Sequence, residues 1–121
     1  MPKKKKILLV DDEKPILNFL KIKLRVSGYD VVTATGGQEA LDLISSESPD
    51  IMLLDIIMPE MDGFEVLKKM HTISPLPIIA FSAGQENAQK AMSLGANDFI
   101  AKPFDVDLLV NKIKMLLAHN I

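Results

Sequence analysis

Apolar residues along this chain fall into two kinds of run. Five short stretches, Ile7-Leu8-Leu9-Val10, Val31-Val32-Thr33-Ala34, Ile51-Met52-Leu53-Leu54, Ile78-Ile79-Ala80-Phe81 and Asp98-Phe99-Ile100-Ala101, have strand length and are largely apolar on both faces. That is the pattern of a buried parallel sheet. Between them the apolar spacing becomes helical. Pro15 suits the first turn of a helix, where a missing N–H costs nothing, and that helix runs to about Ser27 with Gly28 as its stop. Gly36-Gly37 opens a second helix through Ala40, Leu41 and Ile44, which Ser45 to Pro49 is expected to break. A third follows Gly63 with Phe64, Val66, Leu67 and Met70, and Pro75 and Pro77 bracket the next connection. Gln85 to Leu94, closed by Gly95, is the fourth. Asp105 caps the fifth, whose apolar face is Val106, Leu109, Val110, Ile113, Leu116 and Leu117.

Strands alternating with helices predict right-handed βαβ units. The expected fold is α/β, a five-stranded parallel sheet with five helices on both faces. Five units in this length suggest the flavodoxin-like order 2-1-3-4-5, an order taken from known members of that architecture and not from periodicity.

The chain has 121 residues, enough for one domain with one core, expected to span residues 1–121. Hydrophobic residues are 48% and charged residues 25%, an ordinary globular mix. The formal net charge of −2 gives no global field towards nucleic acid or an anionic membrane, so neither is expected as a partner. The absence of Cys removes disulfides, thiolate catalysis and Cys-ligated zinc. No apolar run reaches the roughly 18 residues of a membrane span, and Ile7 to Val10 is too short for a signal sequence, so a cytoplasmic location is the expectation. Lys3 to Lys6 is read as a solvated start to the first strand. His71 and His119 stand near helix ends, where a positive imidazole suits the dipole. Met52, Met58, Met61, Met70 and Met92 are expected to fill the core.

Polar residues cluster where the strands end. Asp11-Asp12 follows strand one, Asp55 strand three, Ser82 strand four and Lys102 strand five. In a parallel sheet these ends share one edge, the usual ligand position of open α/β sheets. With strands one and three adjacent, the carboxylates converge. A like-charged pair at ~4 Å repels by ~4 kcal/mol at an effective dielectric of 20. Such a cluster needs a proton or a cation, and an all-oxygen donor set too small for a full cage suits Mg²⁺. Lys102 offers positive charge to a phosphoryl oxygen and Ser82 a hydroxyl donor. Asp55 is read as a nucleophile for phosphoryl groups. Singly, each residue has a plainer role: Asp11 or Asp12 as a helix cap, Asp55 as a strand-end solvation residue, Ser82 and Lys102 as surface residues.

Taken together, Asp11-Asp12, Asp55, Met58-Pro59 with Asp62-Gly63, Ser82-Ala83 and Lys102-Pro103-Phe104 resemble the receiver domain of bacterial two-component response regulators, chemotaxis receivers included, over essentially the whole chain. The resemblance implies a phosphorylation-gated switch. Asp55 would accept a phosphoryl group from a kinase phosphohistidine. Mg²⁺ (or Mn²⁺) would be held by Asp12, Asp55 and the backbone carbonyl of Ile57, with Asp11 assisting through water. Lys102 would contact the phosphoryl group, Ser82 and Phe99 would form the switch pair, and the bond before Pro103 would be cis. The implied partners are a sensor histidine kinase or phosphotransfer protein and, on activation, a second copy of the chain. The protein would be no enzyme beyond catalysing its own phosphorylation and dephosphorylation, and would be a stand-alone receiver or part of a longer regulator.

Two other readings are weaker. A haloacid-dehalogenase-type phosphohydrolase also uses an Asp after a parallel strand, but places a second Asp two residues later, where this chain has Ile57, which moves no proton. A receiver that binds partners without phosphorylation would not need the intact set Asp11, Asp12, Asp55, Ser82 and Lys102. Two surfaces are expected to meet partners. Helix one carries Ile16, Leu17, Phe19, Leu20, Ile22, Leu24 and Val26, too many azimuths for one stripe, so members such as Ile16 and Phe19 should face outward beside the acidic edge. On helix five, Leu108 and Met115 share an azimuth off the apolar face, with Lys112 near it. In the DNA-binding branch of the family a Glu and an Arg fall at Leu108 and Lys112, so an apolar contact is expected in place of a charged one.

Overall fold

The computed structural model describes residues 3–70 and 72–119. His71 and the His119 side chain, whose roles were expected from helix ends, lie outside the described residues. Five parallel strands, β1 (Lys6–Val10), β2 (Asp30–Ala34), β3 (Ile51–Asp55), β4 (Ile78–Ala83) and β5 (Asp98–Lys102), lie in the order β2-β1-β3-β4-β5. They alternate with α1 (Lys14–Val26), α2 (Gly37–Glu47), α3 (Gly63–Met70), α4 (Ala88–Ser93) and α5 (Val106–His119). This is the flavodoxin-like order.

Strand alternation divides the core into two halves. Leu8, Val10, Met52, Leu54, Ile78 and Ala80 face α2, α3 and α4, which return Ala40, Leu41, Ile44, Val66, Leu67, Met70 and Ala91. Ile7, Leu9, Ile51, Leu53, Ile79 and Phe81 face α1 and α5, which return Leu17, Leu20, Leu24, Leu109 and Ile113. Both faces of every central strand are therefore covered, which is why the strands read as unbroken apolar runs. Polar ties at the entry ends fix the pairing. Asp50 and Lys6 exchange two bonds, Lys6 N–H to Asp50 Oδ2 at 2.8 Å and Asp50 N–H to Lys6 O at 2.8 Å. Asn97 and Ile78 do the same, with Ile78 N–H on Asn97 Oδ1 at 2.9 Å and Asn97 N–H on Ile78 O at 2.8 Å.

Several local expectations need correction. Ser45, Ser46 and Glu47 continue α2, which ends at Ser48 in the left-handed region (φ 48°). Nothing in Ser45-Ser46-Glu47 blocks the helical ladder, and Pro49 lies outside it. Helix α4 begins at Ala88, not Gln85, and has six residues. Gly84 at φ 76° turns the chain away from β4 first. Of the methionines, Met52, Met58 and Met70 are buried and Met61 packs at the margin, but Met92 is exposed because α4 buries only Ala91. Asp62 does more than turn the chain: its Oδ1 accepts the Glu65 N–H at 3.0 Å at the start of α3. Asp105 caps α5 as expected, its Oδ1 accepting the Asp107 N–H at 2.9 Å.

The β3–α3 loop is tied at both ends. Ile56 N–H donates to Phe81 O at 3.0 Å and Gly63 N–H to Ile56 O at 2.8 Å. Gly63 permits this close approach, because a Cβ there would lie 2.6 Å from both Asp55 O and Ile56 Cα. Gly63→Ala is expected to destabilise the protein by about 2 kcal/mol through forced backbone displacement. Urea unfolding should show a lower midpoint at unchanged slope, and an unchanged midpoint would contradict the close packing.

Candidate functional site

The site stands where β1, β3 and β5 release the chain. Asp11 follows β1 directly and is fully buried; Asp55 closes β3 and is 2% exposed; Asp12 is half-buried. One carboxylate oxygen from each of Asp11, Asp12 and Asp55 can be chosen so that all lie within 4.8 Å of one another. Burying acidic groups this close is costly unless positive charge or protons offset it. Lys102, at the end of β5, brings its Nζ to 3.3 Å from Asp11 Oδ2, 3.6 Å from Asp55 Oδ2 and 3.9 Å from Glu13 Oε1. The same ammonium sits 5.0 Å from the centroid of the Phe81 ring, within cation–π range.

Backbone groups complete the arrangement. Asp11 Oδ1 accepts the Glu13 N–H at 2.9 Å, and Asp55 Oδ1 accepts the Ile57 N–H at 3.2 Å. Among the described residues no buried side-chain nitrogen or oxygen lacks a partner. Lys102 nevertheless serves several carboxylates at once. Burial, then the charge of Asp11, push the Asp55 carboxyl up from 3.8 to about 7, against the opposing pull of Lys102 and the Ile57 N–H. Three hard carboxylate donors around an acidic, incompletely neutralised centre fit a divalent cation of the Mg²⁺ type, which keeps part of its water shell.

Asp11, Asp12, Asp55 and Lys102 therefore converge as expected. Ile57 lies just beyond Asp55 with its side chain 61% exposed. The Lys102–Pro103 peptide is cis. Ser82 is buried, and in the ladder Asp55 pairs with Phe81, so Asp55 shares the α1/α5 side of the sheet with Phe81 while Ser82 takes the other side. Phe99 pairs with Ala80 and packs, half-buried, on that same second side. The hydroxyl of Ser82 is engaged: its Oγ accepts from Asn87 Nδ2 at 3.0 Å.

The sequence reading missed Asn87, Glu13 and Phe81. Asn87 was hidden inside a helix expected to start at Gln85, whereas it stands at the entrance of α4. Glu13 is the next residue after the acidic pair, and that adjacency was the available signal. Phe81 read only as core.

The expected partner surfaces lie on α1 and α5. Phe19, Ile22 and Val26 are exposed on α1, while Leu17, Leu20 and Leu24 are buried. Ile16 is half-buried, and with Phe19 it lines a groove of about 540 Å³ that reaches Ala83, Lys102, Pro103 and Phe104. Leu108 and Met115 are exposed on α5 beside a smaller cleft of about 330 Å³. Lys112 on that side is paired within the chain to Asp98 Oδ2 at 2.9 Å. None of the described helices is long and apolar enough to cross a membrane.

Comparison with known proteins agrees with this geometry. Residues 7–114 match the family model for the response regulator receiver domain. Among solved structures, a Francisella response regulator receiver domain superposes with a TM-score of 0.91 at 33% identity, covering 97% of this chain and 99% of its own. A CheY-like response regulator receiver domain protein from Methanospirillum hungatei gives 0.89 at 35% identity, covering 96% and 95%. The chemotaxis protein CheY4 of Vibrio cholerae gives 0.86 at 30% identity, covering 93% and 98%.

The buried acidic centre has a consequence for stability. In metal-free protein the Asp55 carboxyl holds its proton more tightly folded than unfolded, between 3.8 and about 7. The native state then binds more protons in that interval, so this stabilisation is full below about pH 4 and is lost as pH rises to about 7. Asp55→Asn should remove that dependence and raise the melting temperature in chelator at pH 8, on the order of 5 °C. Mg²⁺ should stabilise wild type at pH 8 and have little effect on the variant. A wild-type-minus-variant difference that stays constant across the interval would refute the account.

Proposed function

This chain belongs to the response regulator receiver family, and from that premise we propose that it is a switch which takes a phosphoryl group on Asp55 from a histidine kinase or phosphotransfer protein. Receiver domains of this family act in phosphorylation-dependent two-component signalling. The observation that carries the finer reading is the buried Asp55 carboxylate beside Lys102 and the Asp11–Asp12 pair.

The ionised Asp55 oxygen attacks phosphorus, the bond from phosphorus to the donor imidazole nitrogen breaks, and its electron pair returns to the ring. An acyl phosphate results. Lys102 is placed to hold a phosphoryl oxygen once that group replaces the carboxylate as its strongest partner. Asp12, Asp55 and the Ile57 carbonyl would hold Mg²⁺ or Mn²⁺, with Asp11 acting through water. A bound divalent cation supplies the charge that keeps Asp55 ionised and offsets the repulsion between carboxylate and phosphate. The Ile57 N–H on Asp55 Oδ1 orients the carboxylate and leaves Oδ2 towards Lys102. The chemistry is stoichiometric, since the protein modifies itself. Ile16 and Phe19 on α1 line the groove that reaches Lys102 and would receive the phosphodonor's helices. Leu108 and Met115 would offer an apolar contact to a second activated copy, Lys112 being engaged by Asp98.

Acetyl phosphate with Mg²⁺ should add the mass of one phosphoryl group. EDTA, Asp12→Ala or Asp55→Asn should abolish the gain, and Lys102→Ala should reduce it at least tenfold. Full labelling without divalent metal, or in Asp55→Asn, would sink the reading. The lifetime of the acyl phosphate depends on how water reaches phosphorus in line. Ile57 is apolar and exposed beside Asp55, so it orients no water and obstructs its approach. Decay after donor removal should be slow, and several-fold faster in Ile57→Asn; equal rates would count against this role.

A further inference from the structure

The β4–α4 connection contains a side-chain bond that the phosphorylation chemistry does not require. Asn87 is the residue before α4, the position where Asn ordinarily caps a helix with its side chain. Here it makes no cap bond, and its backbone is already helical at φ −93°, ψ −3°. Its amide reaches back across the loop and donates to Ser82 Oγ at 3.0 Å. Ser82 is 1% exposed, so without this donor its oxygen would lose a partner in a place water does not readily reach. The loop between them is compact. Gly84 is at φ 76°, and a Cβ on it would collide with the Glu86 carboxylate folded over it.

The side of the sheet matters as much as the bond. Asp55 projects on the α1/α5 side, with Phe81 and Lys102, and Ser82 on the side of α4. A phosphoryl group on Asp55 would lie on the α1/α5 side, so to donate to one of its oxygens the Ser82 hydroxyl would turn away from Asn87. We propose that Asn87 is a latch: its amide, donating to Ser82 Oγ, holds that side chain in a rotamer on the α4 side in the unphosphorylated protein, and a phosphoryl oxygen, which would accept the hydroxyl proton, must draw the side chain out of that rotamer. This rests on reading Asp55 as the phosphoacceptor. A charge-assisted bond to phosphoryl oxygen outweighs a neutral amide–hydroxyl bond, so the phosphoryl group prevails, but its apparent affinity is lowered by the fraction of molecules still latched. Asn87 is thus a positioning residue that acts through Ser82.

The test is a titration with beryllofluoride and Mg²⁺, followed by amide NMR, on wild type, Asn87→Ala, Ser82→Ala and the double variant. Asn87→Ala should bind about 2- to 10-fold more tightly. Its ligand-free α4 resonances should move towards their bound positions. In the Ser82→Ala background the same substitution should have no effect. Asn87→Ser retains a helix-capping hydroxyl but is too short to span to Ser82, so it should behave as Asn87→Ala. Unchanged or weaker binding in Asn87→Ala, equal tightening without Ser82, or wild-type affinity in Asn87→Ser would each overturn the latch. No uptake by wild type, or undiminished uptake in Asp55→Asn, would instead overturn the phosphoacceptor reading and the latch with it.

Discussion

Like charge held at close quarters is the constraint on which the rest of this structure depends. Asp11, Asp12 and Asp55 come from two neighbouring strand ends and are forced together by the β1–β3 pairing. Unscreened by bulk water, they would repel by several kcal/mol per pair at ~4 Å. One ammonium, that of Lys102, arrives from the far strand β5 and meets Asp11 and Asp55 together. The compensation is partial, as the raised carboxyl of Asp55 records. A site in this condition is primed for additional positive charge and for chemistry that redistributes negative charge.

The apolar core sets the distances at which that contest takes place. Sheet residues on both faces are sealed by helices, so the strand ends cannot splay apart to relieve the repulsion without exposing Leu53, Leu54 or Phe81. The β3–α3 loop adds a second restraint, because Ile56 is bonded both to Phe81 and to Gly63. Stability is thus distributed through two packed layers while the electrostatic tension is confined to one edge.

Much of this was legible in the sequence because the strands have no polar face. Each apolar run had to end where a charged or hydroxyl residue appeared, so Asp11, Asp55, Ser82 and Lys102 marked the edge by themselves. The order of the strands came from resemblance, since periodicity carries no information about neighbours. Helix ends were less legible. Ser45-Ser46-Glu47 are poor breakers without a glycine or proline among them, and the helix ran through them. Asn87 was illegible for a different reason. Its partner, Ser82, is a neighbour only because Gly84 reverses the chain, and no spacing rule expresses that.

The sealing of both sheet faces also affects how insertions and deletions would be tolerated. Along β3, Ile51, Met52, Leu53 and Leu54 are all buried, so sliding the strand by one residue would exchange one apolar set for another with little change in hydrophobicity. The same slide would turn Asp55 from the Lys102 side of the sheet to the Ser82 side. Hydrophobic patterning is therefore nearly silent about register at the positions where the chemistry is most sensitive to it. The missing information resides in the small polar ties at the opposite ends of the strands, Asp50 with Lys6 and Asn97 with Ile78. Residues a full strand length from Asp55 thereby determine which way it points.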